Sequence, residues 1–351
     1  MPPGTDRRPI RVLSLGIGAA MVLTETMMPL LLVTDHGSKE GSREILADAI
    51  ARVTGQGPVR LDARLLYDDG PVTASLERAG GLLTVRRPGR APVAVEPVVV
   101  VFEIPPHRRR HLEGFQDLLR RFGARTLAAD PEAWRVATDK SLMVERFSRD
   151  SVAQMETLRM NGSWHDMLSA FRRLGRDVWA RPVLGMGGAD VFHVTGTEQL
   201  KAAAAFYRST GQGWLISRDA GNFTADGRRN QHRVIVLNGK VVHAFERHQS
   251  DPDRPCNVSQ GAGTTVLGPD RLPPRLAELA VAATASVGLP FAGVDLAAQS
   301  GGVVFEVNVH PAFNPDRPVE TVAIPYVRAH LSADPDLTSN GAGRRGARRP
   351  A

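Results

Sequence analysis

The segment AGVDLAAQSGGVVFEVNV, residues 292–309, most constrains what this chain can be. Two apolar stretches flank Ser300-Gly301 and read as a β-hairpin. With a two-residue turn there, residue 297 pairs with 304 and Asp295 stands directly opposite Glu306. Like charges in that position repel. Asn308, two residues on, projects from the same face as Glu306. Two carboxylates and an amide oxygen set among Val294, Val304, Phe305 and Val307 form a donor set for a hard cation such as Mg²⁺. The other reading is an exposed hairpin face with solvated acids.

Upstream, the order of elements points to an α/β protein. PLLLVTD (Pro29–Asp35) reads as a buried strand and SREILADAIARV (Ser42–Val53) as an amphipathic helix with Ser42 as N-cap. PVVVVFEI (Pro97–Ile104) reads as a second buried strand. A helix around HLEGFQDLLRRFG then stops at Gly123. Asp130-Pro131 opens a short helix, and Asp139 caps another that carries Lys140. VWARPV and VFHV are strands joined by LGMGGAD. Thr195-Gly-Thr-Glu198 has the form of a capping box. RVIVLNGKVVHAFER is a hairpin centred on Asn238-Gly239. A helix from about Pro274 to Val287 ends at Gly288, and the 292–309 hairpin is the last ordered element expected.

At 351 residues the chain needs two or three packed subdomains. The expected division is a disordered or mis-started leader over 1–27, an N-terminal α/β domain over 28–130, a larger domain over 131–330 and a disordered basic tail over 331–351. Arg7, Arg8 and Arg11 before an apolar run imitate a signal peptide, but no clean cleavage site follows, and Met27 or Met28 is the preferred start. No run approaches the roughly 20 apolar residues of a membrane span. The single cysteine, Cys256, fits a reducing cytoplasm and excludes an internal disulfide. The net charge of +7 lies partly in the Gly/Arg-rich tail, and aromatics are only 5% of the chain. Nucleic-acid binding therefore rests on charge alone, whereas a polyanionic small molecule suits the same balance.

Gly185, Gly187 and Gly188 would let backbone N–H groups approach a polyphosphate, or simply form a turn. In order, Lys140, RPVLGMGG, RVIVLNGKVVHAFERH, CNVSQGAG and AGVD…FEVNVHP resemble the RimK-like branch of the ATP-grasp superfamily, which includes glutathione synthetase and D-alanine–D-alanine ligase folds. The resemblance covers about Leu30 to Phe313. It implies an ATP-grasp fold of class α/β (α+β): a small N-terminal α/β domain, then two α+β subdomains that clamp ATP, with the glycine loop in the one at about 175–220. It also implies a ligase that activates a small-molecule or peptide carboxylate as an acyl phosphate and couples it to an amine, with ATP and Mg²⁺ (or Mn²⁺) as cofactors. Neither nucleic acid nor a membrane is an expected partner, and a homo-oligomer fits folds of this kind.

By the family pattern Asp295, Glu306 and Asn308 hold the metal, and Lys140 and the glycine loop serve the phosphates. Arg233 and Arg247 bind phosphate or steady the acyl phosphate, and Asn257 begins the acceptor side. The sequence departs from the pattern at three places. Arg181 stands where lysine is expected, and the two are not equivalent geometrically. Gln231 replaces the acid that serves the ribose. Asp219, the nearest match to the acid that reads adenine, is one residue out of place. These departures keep open the alternative of a catalytically weakened nucleotide-binding regulator. The Asn238-Gly239 register raises a further tension, because it pairs Arg233 with Ala244 and turns Arg247 to the opposite face. PPHRRRH (Pro105–His111) reads as a solvated helix start or as a site for an acidic substrate. His310 reads as a turn residue or a substrate neighbour. Trp179 and Phe192 are expected in the core, and Cys256 has no recognisable catalytic partners.

Overall fold

The apolar run beginning at Leu30 forms the centre of a parallel sheet in the computed structural model, which describes residues 28–71, 73–313 and 319–333. The expected leader over 1–27, and residues 334–351 of the expected tail, lie outside the described residues. Strand β1 (Leu31–Thr34) is wholly buried and connects through helix α1 (Ser42–Thr54) to its parallel neighbour β2 (Val59–Asp62). The chain then builds a separate antiparallel sheet of β3 (Ser75–Ala79), β4 (Leu82–Arg87) and β5 (Arg90–Val95), which the sequence reading did not single out. It returns as β6 (Val99–Phe102) on the free side of β1.

Helix α1 begins differently from expectation. Ser42 is already helical, and the cap is Gly41 at φ 78°. The orphan N–H groups of Gly41 and Arg43 donate to the carboxylate of Glu103, at 3.2 and 2.8 Å, from the end of β6. Ser42 Oγ instead accepts from the Phe313 N–H, tying α1 to the last hairpin.

After α2 (Glu113–Arg121) come α3 (Pro131–Thr138) and α4 (Lys140–Arg149). Their caps are those anticipated: Asp130 accepts from Ala133 N–H, and Asp139 from Ser141 and Leu142 N–H. Lys140 thus opens α4 with its side chain buried.

Next, β7 (Thr157–Met160), α5 (Trp164–Arg173), β8 (Val178–Pro182), β9 (Phe192–Val194), α6 (Thr197–Thr210) and β10 (Trp214–Arg218) make an antiparallel sheet of order β7-β10-β8-β9 with its own core. Phe192 packs there against Phe206 and Tyr207, as expected. The expected capping box at Thr195 is absent: Gly196 is the cap, and Gln199 rather than Glu198 reaches back to Thr195. A capping box does form at Ser163 and Asp166, at the start of α5.

The largest sheet has the order β13-β12-β11-β14-β15. It is built from β11 (Arg229–Leu237), β12 (Lys240–Gln249), β13 (Gly263–Leu267), β14 (Phe291–Ala297) and β15 (Val303–Asn308), with α7 (Pro274–Val287) between β13 and β14. The final hairpin is not the last element. Helix α8 (Ala323–Leu331) follows it and packs on α1, so a segment expected to belong to the larger domain completes the core of the first. Phe102, Phe291, Phe313 and Tyr326 meet there, with Phe102 centroids 4.9–6.3 Å from the other three. Each such pair adds about 0.5–1.5 kcal/mol to the area term, which fastens the parallel layer to the large sheet.

Candidate active site

The β14–β15 hairpin places Asp295 opposite Glu306, as the sequence predicts, but by another route. The connection is a short 3-10 turn over Gln299–Gly301 rather than a two-residue loop, so Ala297 pairs with Val303 and Leu296 with Val304. A bulge then leaves Phe305 without a partner and restores the 295–306 register. Asn308 pairs with Gly293, and its Nδ2 lies 3.3 Å from Asp295 Oδ2. The three side chains therefore share one face.

A second bulge resolves the tension over the arginines. Between Ile235 and Val236 the β11–β12 register shifts, so Arg233 pairs with Phe245 and Arg247 with Gln231. Arg233 and Arg247 then lie on the same face. Arg233 grips Asp295 with two bonds, Nε–Oδ1 at 2.5 Å and Nη2–Oδ2 at 2.6 Å. Arg247 Nη1 stands 3.5 Å from Asp295 Oδ1, yet its buried Nε and Nη1 make no hydrogen bond. Burial opposes the charge of Asp295, but Arg233 and Arg247 prevail and hold its carboxyl below the usual range. Burial, reinforced by Arg233, draws Arg247 down to about 10, so it remains a cation at neutral pH.

These groups line a cleft of about 530 Å³ between the four-stranded and five-stranded sheets. Lys140 Nζ reaches into it, 3.3 Å from both Glu306 Oε1 and the Gly185 carbonyl. Arg181 donates to Ser217 Oγ and to the carbonyl of the bulged Phe305, both at 3.0 Å. Gly187 and Gly188 have φ of 65° and 72°, conformations that favour glycine. A Cβ on Gly188 would meet Asn257 Oδ1 at 2.7 Å, so the glycine loop lies against the Asn257 segment. Ser259 Oγ donates to the Gly187 carbonyl across the same seam.

Two sequence expectations change here. Asp219 offers no free carboxylate to a ligand, since its Oδ2 is bound by Arg229 at 2.7 Å and by Trp179 Nε1 at 2.6 Å. Trp179 is not a core residue: it lines the cleft, stacked on His193 and covered by Arg229. Gln231 also lines the cleft, where the pattern expects an acid. Cys256 lies in the wall, its thiol pushed up to about 11 by burial, which leaves no thiolate for catalysis at neutral pH.

Sequence reasoning left two cleft residues, Arg109 and His310, between a functional and a bland reading, and it missed Glu40. The signal for Arg109 was its place in PPHRRRH, just past the carboxyl end of β6, where open α/β sheets collect ligands. His310 lies two residues beyond Asn308. Nothing in the sequence distinguished Glu40, which sits in the loop between β1 and α1.

Asp295, Glu306 and Asn308 have the chemistry to hold Mg²⁺: hard oxygen donors on adjacent strands, facing a cleft. The carboxylates are at present matched to protein cations, Asp295 to Arg233 and Glu306 to Lys140. A metal–polyphosphate would suit this arrangement, because the metal takes the acids while the displaced cations take phosphate oxygens.

Comparison with known proteins bears on the family and the fold. Residues 185–319 match the model of the RimK-like ATP-grasp domain. A glutathione synthetase from Brucella melitensis is 26% identical over 251 residues, spanning 69% of this chain and 76% of that protein. A probable alpha-L-glutamate ligase from Sodalis glossinidius is 31% identical over 119 residues, 31% of this chain and 38% of the relative. Among solved structures, the ATP-grasp ligase PsnB, complexed with a phosphomimetic variant of its minimal precursor, Mg and ADP, has a TM-score of 0.58 at 16% identity. That likeness covers 87% of this chain and 98% of PsnB, and it bears on the fold. These similar proteins are ligases, and nothing in them supports the alternative of a catalytically weakened regulator. Over residues 185–319 the chain is thus similar to the RimK-like ATP-grasp domain, and in fold it is similar to ATP-grasp ligases.

Proposed function

We propose that this chain joins a carboxylate to an amine at the expense of ATP, through an acyl phosphate. The observation that carries the proposal is the meeting of Asp295, Glu306 and Asn308 with Lys140, Arg181, Arg233 and Arg247 around one cleft. The division into a domain over 28–130 and an ATP-grasp domain over 131–330, with the glycine-loop subdomain at about 175–220, belongs to the same reading. ATP binds between the two larger sheets, with Gly185, Gly187 and Gly188 folded over its phosphates. Lys140, Arg181 and Arg247 neutralise phosphate charge, and Arg233 holds the carboxylate in line with the transferring phosphoryl group. Mg²⁺, held by Asp295, Glu306 and Asn308, would supply charge neutralisation. Phosphoryl transfer of this kind asks the protein mainly for positioning and charge. Asn257 lines the acceptor side. With Asp219 committed to Arg229 and Trp179, the base is read by other groups of the cleft than that carboxylate. Substrates are small-molecule or peptide acids and amines, in the cytoplasm, and a homo-oligomer is part of the same proposal. Among the described residues no helix is long and apolar enough to cross a membrane.

The test is thermal unfolding with ADP, with and without Mg²⁺, followed by a screen of acids and amines for ADP release. A midpoint that rises only when Mg²⁺ accompanies ADP, and fails to rise in Glu306→Gln, is the expected result, because ligand stabilises the native state by mass action. No shift at millimolar nucleotide would overturn the proposal.

A further inference from the structure

Hydrogen-bonding capacity is distributed unevenly along the cleft. At the end bounded by Trp179, Ser217 and Asn222, the polar side chains are matched to one another. Both oxygens of Asp219 are taken: Oδ2 by Trp179 Nε1 at 2.6 Å and Arg229 Nη1 at 2.7 Å, and Oδ1 by the Gly221 N–H at 2.6 Å. Arg229, with its side chain 2% exposed, also donates to the Pro252 carbonyl and to Asn222 Oδ1, and Asn222 in turn donates to the Asn230 carbonyl. Ser217 Oγ lies between Arg181 Nη2 at 3.0 Å and Thr157 Oγ1 at 2.8 Å. The Trp179 ring is stacked on His193 at 4.7 Å, and His193 is held between Asp177 at 2.7 Å and Asp253 at 2.6 Å. Arg218 and Gln154 turn their nitrogens elsewhere, to Glu156 at 2.8 Å and to the Val144 carbonyl at 2.9 Å.

Toward the glycine loop the balance reverses. Arg181 Nε and Arg247 Nε and Nη1 are buried without a hydrogen-bond partner among the described residues, and Lys140 meets Glu306 and the Gly185 carbonyl only at 3.3 Å. Buried donors without partners are costly, and a polyanion supplies what they lack. We propose that the cleft selects its phosphoryl donor by the phosphates and not by the base, and so takes adenine, guanine, cytosine and uracil nucleotides alike, an inference that rests on the ligase reading above. The bases differ in the donors and acceptors along their edges. A site built to hydrogen-bond a substrate group rejects the analogue lacking it by about 10⁴–10⁵-fold. Here the side chains that could pair with an edge would first have to release one another. Asp219 would leave behind a buried guanidinium and an indole N–H, so a bond gained with a base is offset by bonds lost. The groups left to read the base, Met155 and Ala220 among them, are apolar and meet its flat face, which every base has. Gln231 pairs across the ladder with Arg247, on the side of the phosphates.

The test is a thermal-shift titration of the full chain in Mg²⁺ with ADP, GDP, CDP and UDP. The four dissociation constants should agree within tenfold, and Arg247→Met should weaken all four at least tenfold. Asp219→Asn should leave the four within tenfold of one another. A spread of more than tenfold in the wild-type protein overturns the inference while the ligase reading stands, because nucleotide still binds. Selective loss of one base by more than tenfold in Asp219→Asn overturns it too, since the carboxylate would then be reading that base. No shift with any of the four removes the ligase reading, and base-indifferent selection goes with it.

Discussion

Replacing Asp295 by asparagine should separate the structural from the chemical work of the acid face. Asp295 and Arg233 are each 8% exposed at the side chain and joined by two charge-assisted bonds, with Arg247 as a second cation 3.5 Å away. Asparagine keeps the shape but removes the charge, and its amide NH₂ meets a donor of Arg233. Breaking one partner of a buried pair costs about 3–5 kcal/mol. Because asparagine still offers one oxygen, about 3 kcal/mol is the fitting end of that range. For domains of roughly 150–250 residues this lowers the midpoint by about 6–12 °C. The assay is urea unfolding without ligand at neutral pH, where the midpoint should fall with the m-value unchanged.

The pH dependence has a definite sign. The folded-state pKa of Asp295 is depressed, so its contribution is fully present above the unfolded value of about 3.9 and is lost as pH falls through the folded value. Wild type and variant should therefore converge only in acid. Glu306→Gln, at a side chain 24% exposed and facing Lys140, should cost only about 1 kcal/mol. Both variants should lose the Mg²⁺-dependent ADP shift. An Asp295→Asn protein as stable as wild type at neutral pH would refute the argument.

Arg247→Met should leave the unliganded midpoint unchanged or raised, because it removes a buried cation with two unsatisfied nitrogens, while ADP binding in Mg²⁺ weakens at least tenfold. Titrating ADP against both proteins by thermal shift reads the two effects together. Gly188→Ala places a Cβ at φ 72°, 2.7 Å from Asn257 Oδ1 and 3.0 Å from Pro255 Cγ. Steady-state ADP release should show the ATP KM rising about tenfold, from roughly 1–2 kcal/mol of local strain. Arg181→Lys cannot span Ser217 and Phe305 together, so about 1 kcal/mol of stability should go in urea unfolding, with a weaker ADP shift. Cys256, with its thiol near 11, should resist iodoacetamide at pH 8, and mass spectrometry should find it almost unmodified.

What the sequence made legible was local. Asp130 and Asp139 cap the helices their positions suggest, because a short acid before a helical run has one nearby use. The α1 cap was illegible because it comes from Glu103, some sixty residues away and just past the end of β6. Helix α8 went unread since its short apolar face has meaning only against α1. Asp219 occupied nearly the right place in the motif, but Arg229 and Trp179 had claimed its carboxylate, which only tertiary structure reveals. Glu40, Arg109 and His310 come from three separate segments and carry no shared motif, so no spacing rule could have joined them.

The two bulges explain why the chemistry was visible while the geometry was not. A one-residue slip in register moves a side chain to the other face of a sheet. On β12 the shift after Val236 turns Arg247 toward Arg233, whereas the regular register would have turned it away. On β15 the altered turn slips the register one way, and the bulge at Phe305 slips it back, so the 295–306 pair survives two departures that cancel. The bulge also frees the Phe305 carbonyl from the ladder, and Arg181 takes it while holding Ser217 with its other arm. A lysine, with one ammonium at the end of a flexible stem, could not hold both groups in that fork. Arginine at a position where the family pattern expects lysine is thus matched to the irregular strand beside it. The substitution keeps a cation on the cleft and also makes, in the fold, a strut between the two sheets that form it.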